Sequence, residues 1–293
     1  MGDVELFSDI PYGKDELNKL DVLLPRAHGS NNKPLICFIH GGAWRSWVSS
    51  ALHLWKFDLL HDSGDKAEHV GLATRLATLT GCTIALLNYR LTPRAPSPET
   101  LLYHPAHARD VLDGLELLVS CGSGEEWRRY DRGSFFIIGH SCGAHILTTI
   151  FLDTTATTPS LTPSPSLLAA TKSIALVEGI LDLELLYKLY PDYRGFLSNA
   201  FGSSQSLKCV SSNNFPLRAG AEHIVWFIVH STGDELVDDA QPKSIYNHLI
   251  NLYGRDTQMV FKDFTSMTEG HDRVLRTEEF AKLIGNFVIS KVI

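Results

Sequence analysis

Short, uninterrupted apolar runs alternate along this chain with longer amphipathic stretches. Leu35–Ile39, Cys82–Leu87, Phe135–Ile138, Ile174–Val177, Ile224–Val229 and Met259–Phe264 are rich in Ile, Val and Phe and bounded by turn residues. Hydrophobicity that is continuous rather than alternating marks strands covered on both faces. Between these runs the spacing predicts helices near 69–79, 104–120, 143–152, 242–253 and 275–291. Leu20–Leu24 reads as an early antiparallel strand. A strand–helix rhythm of this kind implies an α/β fold with a mostly parallel, doubly wound sheet flanked by helices.

Two stretches interrupt the rhythm. Residues 154–166, TTATTPSLTPSPS, are too polar for a core and read as an exposed loop. Residues 182–222 carry a helical piece, Leu183–Leu189, followed by Pro191, Gly195, Gly202 and Ser/Asn runs. An insertion of that length between two strands is either a ligand-capping lid or surface elaboration. No internal repeat is visible, and residues 1–293 are expected to form a single domain.

Composition narrows the function classes. The chain is 44% hydrophobic over 293 residues, enough for a sizeable core, and its net charge of −7 is mild with no basic block. A nucleic-acid surface or a polybasic membrane contact is therefore not expected. Five cysteines, at 37, 82, 121, 142 and 209, form no C-x-x-C pair. They suggest reduced thiols and no disulfide framework. The acidic start Met1-Gly2-Asp3-Val4-Glu5 lacks an apolar signal core, and position 6 lacks the Ser or Thr of a myristoylation site. No apolar run approaches the ~20 residues of a membrane span. A soluble, cytoplasmic protein is expected.

The most informative residues are Gly139-His140-Ser141-Cys142-Gly143, placed between an apolar run and a helical one. A G-x-S-x-G in that context is a nucleophile elbow, a tight turn that projects the serine from the sheet. Serine needs a base, usually histidine, oriented by a carboxylate. In this architecture the chain order is Ser, acid, His. Asp234 follows the strand 224–229 and His271 follows the strand 259–264, so both fall on the elbow's rim. Glu235, Asp238 and Asp239 are rivals to Asp234. The run His40-Gly41-Gly42-Ala43-Trp44 closes the first strand and supplies an oxyanion turn, with Gly41 shaping it and the N–H groups of Gly42 and Cys142 as donors. Losing one such donor typically costs ~10²–10³ in rate. His104 and His107 have no matching acidic or cysteine ligands, and His140 and His145 read as local packing groups. No metal or other cofactor is implied, and no dinucleotide or P-loop pattern is present.

With these residues in place the sequence resembles the α/β-hydrolase superfamily from about Leu20 onward. Within it the chain is similar to the kynurenine formamidase (arylformamidase) group, relatives of the hormone-sensitive-lipase-like esterases. The resemblance rests on His40-Gly41-Gly42-Ala43-Trp44, Asn88-Tyr89-Arg90-Leu91-Thr92-Pro93, His104-Pro105-Ala106, Gly139 to His145 and Gly179-Ile180-Leu181-Asp182-Leu183. An H-G-G-x-W turn resembles the formamidases, where the esterases more often carry H-G-G-G. The resemblance implies a Ser141–Asp234–His271 triad and hydrolysis of N-formyl-L-kynurenine to L-kynurenine and formate in tryptophan breakdown. Cys142 departs from the Ala or Gly of many relatives, and Glu178 from their Ser. A stretch near 45–70, with Trp47, His53, Trp55 and His61, is the chain's own.

The expected partner is a small-molecule substrate, with a homodimer the one assembly considered. A general carboxylesterase or other acyl hydrolase is the alternative reading, and a non-catalytic hydrolase-fold binding protein the third. Trp44 either walls the substrate pocket or packs inside. Glu178 follows a strand and is expected at the rim, where it binds a substrate ammonium or pairs with a nearby arginine or water.

Overall fold

A computed structural model describes residues 4–26, 33–45, 64–93, 97, 100–120, 122, 124–203 and 206–292. Eight strands form one sheet: β1 (Val4–Pro11), β2 (Lys19–Pro25), β3 (Pro34–Ile39), β4 (Thr83–Leu87), β5 (Asp131–His140), β6 (Thr171–Val177), β7 (Val225–Val229) and β8 (Val260–Asp263). Their order is β1-β2-β4-β3-β5-β6-β7-β8. β1 pairs antiparallel with β2, and β2 antiparallel with β4, while β3 to β8 run parallel to one another. The six continuous apolar runs account for the parallel strands. β1 had no such signal because it is an edge strand of mixed exposure.

The helices are α1 (Val70–Thr80), α2 (Ala106–Val119), α3 (Cys142–Phe151), α4 (Pro165–Ala170), α5 (Leu183–Leu189), α6 (Arg194–Phe201), α7 (Leu207–Val210), α8 (Ala240–Tyr253) and α9 (Glu278–Val292). The strand pleat divides the core between two faces. Leu35, Cys37 and Ile39 of β3 join a cluster with α2, α3 and α8, whereas Ile36 and Phe38 join a second cluster with α1 and α9. Every residue of α3 is buried, including three polar ones. Thr148 and Thr149 resolve this by donating their hydroxyls back to the His145 carbonyl at 2.9 and 2.8 Å.

Both irregular stretches are more ordered than their composition suggests. In 154–166, Thr154, Thr158 and Leu161 are buried, correcting the expectation of an exposed loop. Arg218 reaches across to donate to the carbonyls of Leu152 and Leu161 at 2.8 and 3.1 Å. Ser164 then caps α4, accepting from Leu167 N–H at 3.1 Å, with Pro165 in the first turn. In 182–222, Asp182 caps α5 through Leu185 N–H at 3.0 Å. Leu183, Leu186, Phe196, Leu197, Ala200, Phe201 and Val210 belong to the first core cluster.

The parallel register sets the functional rim. Ile39 pairs with Gly139, His140 with Val177, Val177 with Val229, and Val229 with Asp263. Residues 40, 141, 178 and 230 therefore leave the sheet at nearly one level. The elbow closes against this edge: a Cβ on Gly143 would lie 2.4 Å from the Ile39 carbonyl oxygen and 2.7 Å from that of His40. Those atoms are backbone and cannot swing aside. Gly143→Ala should lower stability by about 1–3 kcal/mol and displace the elbow; chemical denaturation checks it, and an unchanged midpoint would refute the close-approach argument.

Candidate active site

The chain turns sharply where β5 becomes α3. Ser141 takes φ 54° and ψ −120°, a backbone state that costs a non-glycine residue roughly 1–3 kcal/mol. Surrounding bonds hold it: Ser141 N–H donates to Val177 O at 2.9 Å, and Ser141 O accepts from Ala144 and Ile180 at 3.1 and 3.2 Å. The serine is buried at the rim of the sheet.

Asp234 sits in the turn after β7. Its Oδ1 accepts from the N–H groups of Leu236 and Val237 at 2.8 and 2.9 Å. Its Oδ2 lies 2.7 Å from His271 Nδ1. That contact assigns the proton to Nδ1 and leaves Nε2 as the free base. His271 is also gripped through its backbone. Its N–H donates to Glu235 Oε2 at 3.1 Å, and its carbonyl lies 3.1 Å from His140 Nε2. Burial disfavours the charged imidazole, but the Asp234 carboxylate outweighs it and raises the His271 pKa above the ordinary value. The same pairing, against the cost of burial, holds Asp234 well below the ordinary carboxyl range. The rivals do other work. Glu235 anchors the His271 backbone, Asp238 accepts from Ala240 N–H at 2.8 Å, and Asp239 pairs with Lys243.

The His40–Trp44 turn is clamped by Tyr89 and by the side chain of Cys142. The Tyr89 hydroxyl lies 3.0 Å from His40 O and 3.2 Å from Gly41 O, and its ring stacks on His40 at 4.4 Å. His40 Nδ1 is 2.8 Å from Gly41 O. Trp44 N–H donates to Cys142 Sγ at 3.3 Å, with the Tyr89 hydroxyl 3.5 Å from the same sulfur. Gly42, at φ 105°, makes the bend. Burial pushes the Cys142 thiol up to about 11, so it stays protonated and serves as a packing and hydrogen-bonding group rather than a thiolate nucleophile. As the first residue of α3, Cys142 has an N–H that the helix cannot use. Tyr89 was visible in the N-Y-R-L-T-P run, but nothing in that run reveals what its hydroxyl touches.

Trp44 is fully buried, edge-on to His145 at 5.3 Å and to Phe201 at 5.0 Å. It packs beneath α6. Glu178 requires a correction: it leaves the sheet level with Ser141, but its side chain is fully buried instead of open at the rim. Its N–H donates to Val229 O at 3.1 Å and its φ is 48°, so the chain leaves strand geometry there. Its carboxyl group ends beside the β7 turn, with Ser231 N–H 2.8 Å from Oε1 and His230 Nδ1 2.8 Å from Oε2. With both oxygens turned to the β7 turn, the carboxyl group is engaged by the protein's own backbone and His230 and not by solvent. Trp47, His53, Trp55 and His61 lie outside the described residues.

Residues 36–183 match the α/β-hydrolase fold family. The chain belongs to that family. It is 31% identical over 302 residues to a kynurenine formamidase-like hydrolase of Fusarium equiseti, covering 93% of this chain and 91% of the relative. It is 29% identical over 278 residues to a kynurenine formamidase of Meyerozyma guilliermondii, covering 94% and 91%. These relatives place it in the kynurenine formamidase group. Esterase B of Lactobacillus rhamnosis superposes with a TM-score of 0.74 at 15% identity, over 99% of this chain and 85% of that one, a likeness of fold alone.

Beside the His40–Trp44 turn of this α/β-hydrolase is a cavity of about 300 Å³. Gly41, Gly42, Glu68, Arg75, Asp272 and Arg276 are among its lining residues, so it presents both signs of charge. Around it the hydrolase buries several histidines in neutral form. Burial lowers His40 and His145 to about 4 and His107 to about 3, and takes His140 well below its ordinary value.

Two pH effects follow. A base must be neutral, so kcat/KM should fall as pH drops through the raised His271 pKa. Asp234→Asn should shift that acid limb to lower pH and reduce turnover by roughly 10²–10⁴-fold; a pH–rate profile that does not move would remove Asp234 from the role. The four buried histidines act on stability with the opposite sign of shift. Their folded pKa values lie below the ordinary 6.5, so the unfolded chain takes up protons first. Their stabilisation is complete above that value and is lost below it, at up to ~1.4 kcal/mol per pH unit for each. Urea midpoints should drop steeply from neutral pH to pH about 5; equal midpoints would contradict neutral burial.

Proposed function

We propose that the protein hydrolyses N-formyl-L-kynurenine to L-kynurenine and formate. The observation that carries this reading is that similarity to proteins named kynurenine formamidase runs nearly end to end in both chains. The geometry of the rim supplies a matching chemistry.

In the proposed reaction His271 Nε2 takes the proton of Ser141 Oγ as that oxygen attacks the formyl carbon. The tetrahedral oxyanion rests on the N–H groups of Gly42 and Cys142, in a turn shaped by Gly41. His271 then delivers its proton to the departing aryl amine, and kynurenine leaves. A water, deprotonated by His271, attacks the formyl–Ser141 ester and releases formate. Asp234 steadies the imidazolium in both halves. The charged lining beside Gly41 and Gly42 suits a zwitterionic amino-acid head, with Arg75 and Arg276 for a carboxylate and Glu68 and Asp272 for an ammonium. A formyl group is the smallest acyl group, and the burial of Ser141 under a clamped turn favours it over larger ones.

The described cysteines Cys37, Cys82, Cys142 and Cys209 are free. Among the described residues no helix is long and apolar enough to cross a membrane. Reduced thiols suit action in the cytoplasm.

Wild type and Ser141→Ala should be assayed on N-formyl-L-kynurenine beside p-nitrophenyl acetate. The expected result is efficient deformylation that exceeds ester turnover and falls by at least ~10³-fold in the variant. Ester turnover with negligible deformylation would instead make the protein a general esterase. Deformylation undiminished in Ser141→Ala would refute the serine mechanism.

A further inference from the structure

Behind the Asp234–His271 pair lies a second carboxyl group that the mechanism has not used. Glu178 is fully buried, and its Oε1 is satisfied by Ser231 N–H at 2.8 Å. Its Oε2 lies 2.8 Å from His230 Nδ1. One ligand-type atom from each of Glu178, His230 and Asp234 falls within 4.8 Å of the other two, and among the described residues the buried Glu178 Oε2 makes no well-formed hydrogen bond. Asp234 already accepts from Leu236, Val237 and His271. Two buried carboxyl groups this close repel each other when both are charged, which favours one proton between them. Asp234 has three donors, one of them the His271 imidazole, to stabilise its charge, whereas Glu178 has one backbone donor and sits beside a histidine.

We propose that Glu178 is a positioning residue that keeps its proton and donates it to Asp234, locking the acid that orients His271. The proposal rests on the serine-hydrolase reading of the rim. The left-handed φ of 48° at Glu178 fits such a role, because strained backbone persists where surrounding structure enforces it. The groups facing Glu178 are His230, Asp234 and Glu235 from the β7 turn, with His271 beyond Asp234. Burial, reinforced by the negative charges of Asp234 and Glu235, raises the Glu178 pKa. Burial also lowers that of His230, which keeps it neutral and unable to hold Glu178 as an ion pair. The chain His230–Glu178–Asp234–His271 is then a run of contacts with a single net negative charge, placed where His271 becomes cationic during turnover.

Three proteins test this: wild type, Glu178→Gln and Glu178→Leu. Each is read by kcat/KM against pH on p-nitrophenyl acetate and on N-formyl-L-kynurenine, and by infrared spectroscopy of the folded protein. Glutamine keeps a neutral donor to Asp234, so Glu178→Gln should retain turnover within roughly 3-fold and hold its acid limb within about 0.3 pH unit. Leucine fills the space without a donor, and Glu178→Leu should lose roughly 10- to 100-fold with a displaced acid limb. The infrared spectrum should lose a protonated-carboxyl band in Glu178→Gln.

An acid limb lowered by about one pH unit in Glu178→Gln would mean that the wild-type group is ionised. Wild-type turnover and profile in Glu178→Leu would mean that it does not position Asp234. Either result overturns the proposal, as does an infrared spectrum without the lost band, or one tightly held divalent metal per chain in place of the shared proton. Ester turnover reads the triad even if formylkynurenine is not a substrate. The infrared band needs no activity and remains decisive if Glu178→Leu fails to fold.

Discussion

The common level at which the parallel strands end is the constraint on which the site depends. β3, β5, β6, β7 and β8 are paired in register up to their last residues. The segments that leave them, the His40–Trp44 turn, the elbow, Glu178, the Asp234 turn and the His271 loop, therefore converge on one edge though the sequence spreads them over more than two hundred residues. Parallel pairing achieves this because crossover helices return each strand to the same starting side. The rim is rigid for the same reason: its backbone groups are extensions of a hydrogen-bonded sheet buried on both faces.

That rigidity sustains a cluster of locally unfavourable features. Ala43, Trp44, Ser141 and Glu178 all have positive φ. Each lies immediately after or close to a strand end, where neighbouring strands dictate the exit direction. Strain of this kind is held by the large apolar clusters on either face and is released only by disturbing them. Charge is managed with comparable economy. Histidines around the elbow are kept neutral by burial, whereas the pKa of His271 is raised beside a carboxylate braced by two backbone N–H groups. Tyr89 and Cys142 extend the bracing to the His40–Trp44 turn, which makes the unusual cysteine of the elbow part of the architecture.

The segments that looked least structured still pack against the site and the core. Phe201 of α6 packs on Trp44, and Tyr193 donates its hydroxyl to Leu236 O at 3.1 Å, two residues from Asp234. Their polar, proline-containing sequence concealed this, because the apolar residues that anchor them are few and lack a strand or long-helix period. In 154–166 a single leucine, Leu161, together with threonines that satisfy their own hydroxyls, is enough to bury part of a Thr/Pro/Ser run.

By itself the sequence determined the parallel strands and the placing of Ser141, Asp234 and His271 beyond their ends, because each is written in local terms: continuous apolar runs, a Gly-x-Ser-x-Gly between strand and helix, acid and histidine just past strand ends. It did not distinguish a rim carboxylate from a buried one at Glu178, since both follow a strand and only the backbone angle at that residue, with the β7 turn packed above it, decides where the side chain goes. It left open whether Trp44 faced substrate or core, which α6 decides from a hundred and fifty residues away. The clamping of the His40–Trp44 turn by Tyr89 and Cys142 belongs to tertiary structure for the same reason: a hydrogen bond between residues distant in the chain leaves no spacing in the sequence to read.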